Sequence, residues 1–343
     1  MFYSNLAKWH EMWSSQKQMC RLPFFLLVLM LLSSHVATGQ VSGAGGSATA
    51  TFRGGVDLVT LNAVVRDQHG RVVTDLKRDD FEVLDSGIQR PIAQFRAEGA
   101  AISVALLFDA SGSMEVASRF EDARRVARRF LSCLQMGRDE LAVYSFDTRL
   151  RQLQPFAPYR DDASLERSLV NISPFGMTSL NDAIAGTARE LAARPNAHRA
   201  VVVLTDGVDN HSRLSAAEVS GIASSIDVPV YILAVVSPLE HVGTATAVSS
   251  EHPLPVGDLA DLARWTGGRL YVTSGPLQES QAARDIADEL RSQYLIAFEP
   301  ATRPGWHPLE VRARDHRLLV RARSGYFTGQ TRQGNFGQED REK

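Results

Sequence analysis

One stretch decides the fold of this 343-residue chain: Ala101-Ile-Ser-Val-Ala-Leu-Leu-Phe-Asp-Ala-Ser-Gly-Ser-Met114. From Ile102 to Phe108 the residues are almost all apolar, and the run is too short for a free-standing helix. Such a run is typical of a strand buried on both faces, as in the middle of a parallel sheet. It stops at Asp109, at the carboxyl end of the predicted strand, which is where open α/β sheets bind their ligands.

The turn after this strand carries a cluster of oxygen donors. Asp109, Ser111 and Ser113 alternate along it, so their side chains can converge on one point. One carboxylate and two hydroxyls are hard oxygen ligands, which suit Mg²⁺ or Mn²⁺ and suit zinc or copper poorly. A simpler interpretation is also open: Asp and Ser are common in turns and at helix N-caps, and a helix is predicted just after Met114.

Two later loops carry matching oxygen donors. A second apolar strand begins at Ala200 and ends on Asp206. Between the two strands, the glycine-containing loop 174–180 places Thr178 just before another predicted helix. Capping explains one such loop well, but it explains three of them in succession poorly. The sequence therefore favours a metal site at this edge of the sheet.

The pattern Asp109-Ala-Ser-Gly-Ser113, then Thr178, then Thr205-Asp206-Gly207 resembles the metal-ion-dependent adhesion site of von Willebrand factor A (VWA) domains. The flanks resemble a bacterial group of secreted proteins built around such a domain. The resemblance implies that Asp109, Ser111, Ser113 and Thr178 line the ion and that Asp206 binds it directly or through water. It also implies that the site binds an acidic group of a partner protein.

Three further residues are candidates for supporting contacts around the ion. Asp147 closes the next predicted strand, Asp182 lies in the first turn of the helix after Thr178, and Gly207 follows Asp206. Turn chemistry accounts for Asp147 without any ion, and the helix dipole favours a carboxylate at Asp182.

The rhythm of apolar strands and amphipathic helices over residues 99–293 predicts a doubly wound, mainly parallel α/β sheet of VWA or Rossmann-like type. Residues 52–98 and 294–327 contain short predicted strands without helices, and each segment is too small for a stable core of its own. We therefore expect them to pack together as one small β-sandwich that flanks the inserted domain. Residues 40–51 are predicted to be a flexible linker and residues 328–343 a disordered tail.

The N-terminal residues 1–39 have the pattern of a signal peptide. Lys17 and Arg21 precede an apolar core, Leu22–Leu32, and small residues follow it up to a predicted cleavage before Gln40. Cleavage predicts a secreted or periplasmic protein. The positive leader is unusually long, and without cleavage the apolar core would anchor the protein in the membrane.

Composition and motifs limit the classes of function that this protein can have. A net charge of −2 argues against nucleic acid as a partner, which requires a clustered basic surface. Five oxygen donors leave one position of an octahedral Mg²⁺ open, which favours a binding and adhesion module that takes a partner's carboxylate. One alternative is a metal-dependent hydrolase that uses Asp109 as a nucleophile, although such enzymes need a second acid where Ser111 stands. Another is a structural envelope protein whose metal only rigidifies the loops.

Overall fold

The computed structural model describes residues 58–97, 99–160, 167, 169–207, 209–225, 227–236 and 256–328. The predicted signal peptide and linker lie outside these residues, and so does the predicted tail after Thr328, a residue that is still part of a strand. Within the described part of the chain, no helix has both the length and the apolar character needed to cross a membrane.

The middle of the chain alternates strands and helices and forms an α/β unit. Segments of β-strands precede and follow this unit in the sequence. The strands are β1 (Val59–Arg66), β2 (Phe81–Asp85), β3 (Ile88–Arg90), β4 (Ile92–Arg96), β5 (Ile102–Asp109), β6 (Glu140–Phe146), β7 (Leu150–Pro158), β8 (His198–Thr205), β9 (Val230–Val235), β10 (Leu270–Thr273), β11 (Tyr294–Phe298), β12 (Gly305–Ala313), β13 (Leu319–Arg321) and β14 (Gly325–Thr328). The α-helices are α1 (Arg119–Leu131), α2 (Leu180–Ala192), α3 (Ala216–Ser225), α4 (Val256–Trp265) and α5 (Pro276–Arg291). Short 3₁₀ segments lie at Arg78–Asp80 and Gly112–Ser118.

The central sheet has six strands in the order β10-β9-β8-β5-β6-β7. Its first five strands are parallel and β7 alone is antiparallel to its neighbour. All eight residues of β5 are buried, which agrees with its continuous apolar sequence. Since β5 lies between β8 and β6, the chain runs outward in both directions from this strand.

Helices cover both faces of this sheet. Apolar residues of α1 and α5 pack on one face, where Phe130 and Ile286 are buried with Leu106 of β5. Apolar residues of α2, α3 and α4 pack on the other face, where Ile184 is buried with Leu107 of β5. The prediction of a doubly wound, mainly parallel sheet is therefore confirmed.

The edge strand β7 was not predicted from the sequence. It contains Pro155 and Pro158, and prolines inside a strand argue against a central position because they cannot donate to the ladder. Strand β7 pairs only with β6 and none of its nine residues is buried. An edge strand tolerates the missing N–H groups, which explains why the pattern was misleading.

The segments before and after the α/β unit form two further four-stranded sheets, ordered β13-β1-β11-β4 and β14-β12-β2-β3. Each sheet combines strands from both ends of the described chain: β1 pairs with β11, and β2 pairs with β12, both antiparallel. The two sheets share one apolar core, in which Leu61 and Ile296 meet Val83 and Val311. The expectation of a small β-sandwich flanking the α/β sheet is confirmed.

Buried polar contacts join the sandwich to the α/β unit. Glu289 of α5 is fully buried and accepts a hydrogen bond from Nε of Arg66 in β1 at 2.9 Å, while Arg321 of β13 binds its other oxygen. Nearer the start of β1, Asn62 donates to Oδ2 of Asp227 at 2.7 Å. These contacts tie the framework of the central sheet to the strands that flank it.

Candidate functional site

The two acid-bearing loops follow neighbouring strands. Strands β5 and β8 pair in parallel, with Phe108 opposite Leu204, so Asp109 at the end of β5 lies beside Thr205 at the end of β8. The chain order reverses between these two strands, because β6 lies on one side of β5 and β8 on the other. A crevice at such a reversal, outside the carboxyl ends of the strands, is where open α/β sheets bind ligands.

Asp109 is completely buried at this point. Its Oδ1 accepts a hydrogen bond from the amide of Ser111 at 2.9 Å, and its Oδ2 accepts one from the hydroxyl of Thr205 at 2.6 Å. Burial raises the pKa of Asp109 to about 6, because desolvation outweighs these hydrogen bonds and the neighbouring charge of Asp206 adds to the rise. A cation beside this carboxylate would offset that desolvation.

Ser111 and Ser113 lie on the same side of the loop. Their hydroxyl oxygens are 3.0 Å apart, and Ser111 is buried. Between them, the amide of Gly112 donates to the carbonyl of Gly176 at 3.0 Å, so this loop touches the loop before α2 directly. A Cβ at position 112 would lie 3.4 Å from that carbonyl oxygen, at the limit of ordinary van der Waals contact.

Thr178 is also buried, and the loop after β8 holds it in place. Its amide donates to Oδ1 of Asn210 at 2.8 Å, and its carbonyl accepts from the amides of Asn210 and His211 at 3.1 and 3.0 Å. The loops after β5, before α2 and after β8 are therefore linked by backbone contacts. The structure brings the three predicted loops together at one edge of the sheet.

Asp206 is almost completely buried and is paired with an arginine that the sequence analysis did not single out. Nη1 of Arg119, the first residue of α1, lies 3.0 Å from Oδ2 of Asp206 and 3.2 Å from the carbonyl oxygen of Ser113. The other carboxylate oxygen, Oδ1 of Asp206, is buried and has no hydrogen-bond partner among the described residues. Such an orphaned acceptor is costly unless something binds it.

The three residues predicted to support the site have other contacts. The carboxylate of Asp147 accepts from the amide of Arg149 at 2.8 Å and pairs with Arg151 at 2.7 Å, which is the turn chemistry considered for it. The carboxylate of Asp182 accepts from the amides of Arg213 and Leu214, so it fixes the segment before α3.

Gly207, the third of these residues, has a φ of +94°, which glycine adopts without strain. Its amide donates to the hydroxyl of Thr205 at 3.0 Å. Gly207 therefore shapes the loop that carries Asp206.

The donor set fits a hard divalent cation. In the described residues, no group of three or more His, Cys, Asp or Glu side chains could hold a metal ion. The predicted site is of another kind, with the carboxylates of Asp109 and Asp206 and the hydroxyls of Ser111, Ser113 and Thr178. All five donors are oxygens, which suits Mg²⁺ and Mn²⁺ better than zinc. The orphaned Oδ1 of Asp206 points to the same conclusion, whereas the Arg119 guanidinium already neutralises part of the site.

Sequence reasoning assigned no role to three residues that shape this site. Thr205 binds Asp109, Arg119 binds Asp206 and Asn210 binds the backbone of Thr178. Thr205 and Asn210 lie close to Asp206 in the sequence and share its loop. No spacing rule points to Arg119, because its contact depends on how the 3₁₀ segment Gly112–Ser118 turns into α1.

That turn is unusual in its backbone. Ala117 and Ser118 have φ values of +53° and +61°. Left-handed conformation costs a non-glycine residue about 1 kcal/mol or more. Two consecutive residues of this kind direct the start of α1, and with it Arg119, towards the loop after β8.

Comparison with known proteins agrees with this architecture. Residues 104–208 match the family model of the von Willebrand factor type A domain, a range that includes all five predicted ligands. No curated protein sequence matches the chain.

Several solved structures are similar to part of this chain but share little sequence with it. BatB from Bacteroides thetaiotaomicron is 22% identical with a TM-score of 0.46, and the match covers 56% of this chain and 100% of that one. A von Willebrand factor type A protein from Catenulispora acidiphila is 15% identical with a TM-score of 0.46, covering 71% and 70%. Proximal thread matrix protein 1 from the mussel byssus, with a zinc-occupied MIDAS motif, is 16% identical with a TM-score of 0.45, covering 59% and 48%. Residues 104–208 of this chain therefore match a von Willebrand factor type A domain, and they lie within the doubly wound sheet with its strand-end loops.

Proposed function

We propose that this protein is a non-catalytic binding module whose VWA domain holds a Mg²⁺ or Mn²⁺ ion and uses it to bind a carboxylate of a partner protein. The ligands of the ion would be Asp109, Ser111, Ser113 and Thr178, with Asp206 bound directly or through water.

The observation that supports this proposal is that the loops carrying these donors are hydrogen bonded to one another and that four of the five donor residues are buried. Backbone hydrogen bonds link the three loops, and Oδ1 of Asp206 is buried with no hydrogen-bond partner in the described part of the protein. Desolvation of the buried carboxylate raises the pKa of Asp109, and the charge of Asp206 adds to this rise. A divalent cation would offset the negative charge of the two carboxylates and would give Oδ1 of Asp206 a binding partner.

Binding, rather than catalysis, is the chemistry that these residues support. When bound, the ion supplies a Lewis-acidic position for a hard anionic donor. Around it the protein offers hydroxyls and a carboxylate that are already hydrogen bonded. Position 111 is a serine, so an Asp109 nucleophile would lack the neighbouring acid that phosphoryl-transfer chemistry of this type needs.

Calorimetric titration with Mn²⁺ tests the metal site. The wild-type protein should bind one ion, and Asp109→Ala and Thr178→Ala should each abolish or greatly weaken this binding. Asp147→Ala is a matched control, because Asp147 also ends a strand of the same sheet but its carboxylate pairs with Arg151. Circular dichroism of each variant checks that the fold is retained.

Unchanged Mn²⁺ affinity in Asp109→Ala and Thr178→Ala would refute the ligand assignment. Equal loss in Asp147→Ala would show that the substitutions act through general destabilisation. Ion binding without any effect of the ion on capture of acidic peptides would favour a purely structural metal.

We also propose that the protein is exported. The support is the sequence pattern of residues 1–39, with cleavage before Gln40. Intact-mass measurement of the protein purified from its own cells should give a chain that begins near Gln40. A chain that begins at Met1 and fractionates with membranes would show an N-terminal anchor instead.

A further inference from the structure

Three large apolar side chains on the loops that carry the predicted ligands are exposed to solvent. Phe175 is 82% exposed, Val116 is 55% exposed and Met177 is 46% exposed. Phe175 and Met177 lie in the loop before α2, and Val116 lies in the 3₁₀ segment after Ser113. We call these three residues the apolar rim.

Backbone contacts fix the rim beside the oxygen donors. The amide of Phe175 donates to the carbonyl of Ala110, between Asp109 and Ser111, at 2.8 Å. Gly176, between Phe175 and Met177, accepts from the amide of Gly112 at 3.0 Å. The two side chains therefore extend from a segment that is hydrogen bonded to the ligand loop itself.

The rim does not stabilise the fold. Neither Phe175 nor Met177 belongs to the apolar cores on the two faces of the central sheet. An exposed Phe costs free energy in water, and exposed apolar groups around a polar site are typical of interaction surfaces. By contrast, exposed Met136 lies before β6, at the amino end of this strand, whereas the predicted ligands follow the carboxyl ends of their strands. No ligand loop is near Met136 in the sequence.

We propose that the partner is a protein segment in which an acidic side chain is flanked by large apolar side chains. The carboxylate occupies the open position of the ion, and the flanking side chains pack on Phe175, Met177 and Val116. This inference rests on the proposed function, because it names the kind of partner that the same site binds. The physical reason is energetic: one metal–carboxylate contact is modest after desolvation, whereas buried aromatic and aliphatic anchors supply most of the affinity of an interface.

Fluorescence anisotropy with defined peptides tests the inference. The probes are short labelled peptides with a central aspartate flanked by two leucines or by two serines, each also made with asparagine in place of aspartate. Binding is measured with the full chain in Mg²⁺ and in chelator. The leucine-flanked aspartate peptide should bind at least tenfold more tightly than the serine-flanked one, and chelator or asparagine should abolish its binding.

Substitutions in the rim should remove the preference for apolar flanks. Phe175→Ser and Met177→Ser should each reduce the leucine-to-serine preference at least threefold while leaving Mn²⁺ affinity unchanged. Met136→Ser is the matched control and should change neither quantity. These substitutions are exposed, so the fold should tolerate them.

The outcomes separate this inference from the proposed function. Equal binding of the two aspartate peptides, or no binding of either, overturns the inference, whereas the metal site stands or falls on the Mn²⁺ titration. A leucine preference that persists in Phe175→Ser and Met177→Ser also overturns it. Concentration-dependent self-association that Phe175→Ser abolishes would identify a second copy of this chain as the occupant and would replace the proposed partner.

Discussion

The contact between Arg119 and Asp206 predicts opposite effects of one substitution on protein stability and on metal affinity. Arg119 binds Oδ2 of Asp206 inside the predicted metal site, so its guanidinium provides a positive charge where a divalent ion would provide another. Arg119→Met removes the charge and keeps a side chain of similar length. We expect this variant to be less stable than the wild type without an ion and to bind the ion more tightly.

The magnitudes follow from burial and charge. The side chain of Asp206 is only 3% exposed and that of Arg119 only 12% exposed, so the pair is largely protected from water. Removing one partner of a buried pair costs about 3 kcal/mol, because the remaining charge is left uncompensated. An ion of charge +2 about 6 Å from the guanidinium is repelled by about 1.4 kcal/mol even in a water-like dielectric, which corresponds to about a tenfold change in affinity.

Two measurements on the same variants check this prediction. Urea unfolding in chelator gives the free energy of unfolding of the metal-free protein, and calorimetry gives the Mn²⁺ affinity. Arg119→Met should lower the free energy of unfolding by about 3 kcal/mol and raise the Mn²⁺ affinity about tenfold or more. Arg119→Lys keeps the positive charge, so its Mn²⁺ affinity should stay close to that of the wild type and below that of Arg119→Met.

Unchanged or weaker Mn²⁺ binding in Arg119→Met would refute the reasoning. It would mean that Arg119 supports the site by holding Asp206 and the carbonyl of Ser113 in position, and that this effect outweighs the repulsion. Equal affinity of Arg119→Lys and Arg119→Met would show that the charge itself has no effect on the ion.

Three further predictions concern stability. Glu289→Ala leaves partly buried Arg66 and Arg321 without their buried carboxylate and should lower the free energy of unfolding by about 3 kcal/mol in urea titrations. Glu310→Ala breaks an exposed pair and should change the free energy of unfolding by under about 0.5 kcal/mol. Burial lowers the pKa of His198 below its ordinary value of 6.5, so the stability that the neutral ring contributes above pH 6.5 should be lost as the pH falls through the folded-state pKa. Urea midpoints measured across this range should be less pH-dependent in His198→Gln, and an equal pH dependence would contradict the assignment. Deletion of all residues after 293 removes β11 and β12, the partners of β1 and β2. Limited proteolysis should then cut within residues 58–97 while the α/β unit stays resistant. Equal resistance of residues 58–97 with and without the deletion would show that the two flanks fold separately.

The fold was largely predictable because its strongest signals are local. An almost continuously apolar strand such as β5 is typical of burial on both faces, and helices on both faces follow from the alternation of strand and helix. Strand β7 escaped prediction because Pro155 and Pro158 obscure its pattern, and only its position at the edge makes them tolerable. Which strands of the flanks pair with which was equally undetermined, since β1 and β11 are separated by the whole α/β unit.

The sequence by itself determined the oxygen donors and their order along the chain. Asp109, Thr178 and Asp206 could be singled out because each lies at a strand end or just before a helix, and parallel strands bring their carboxyl ends to one edge. Only the tertiary structure decided which cation side chain lies among these donors. Arg119 reaches Asp206 because two residues with positive φ turn the chain into α1 at that point, and backbone geometry of this kind depends on the packing of the whole domain rather than on any local spacing of residues.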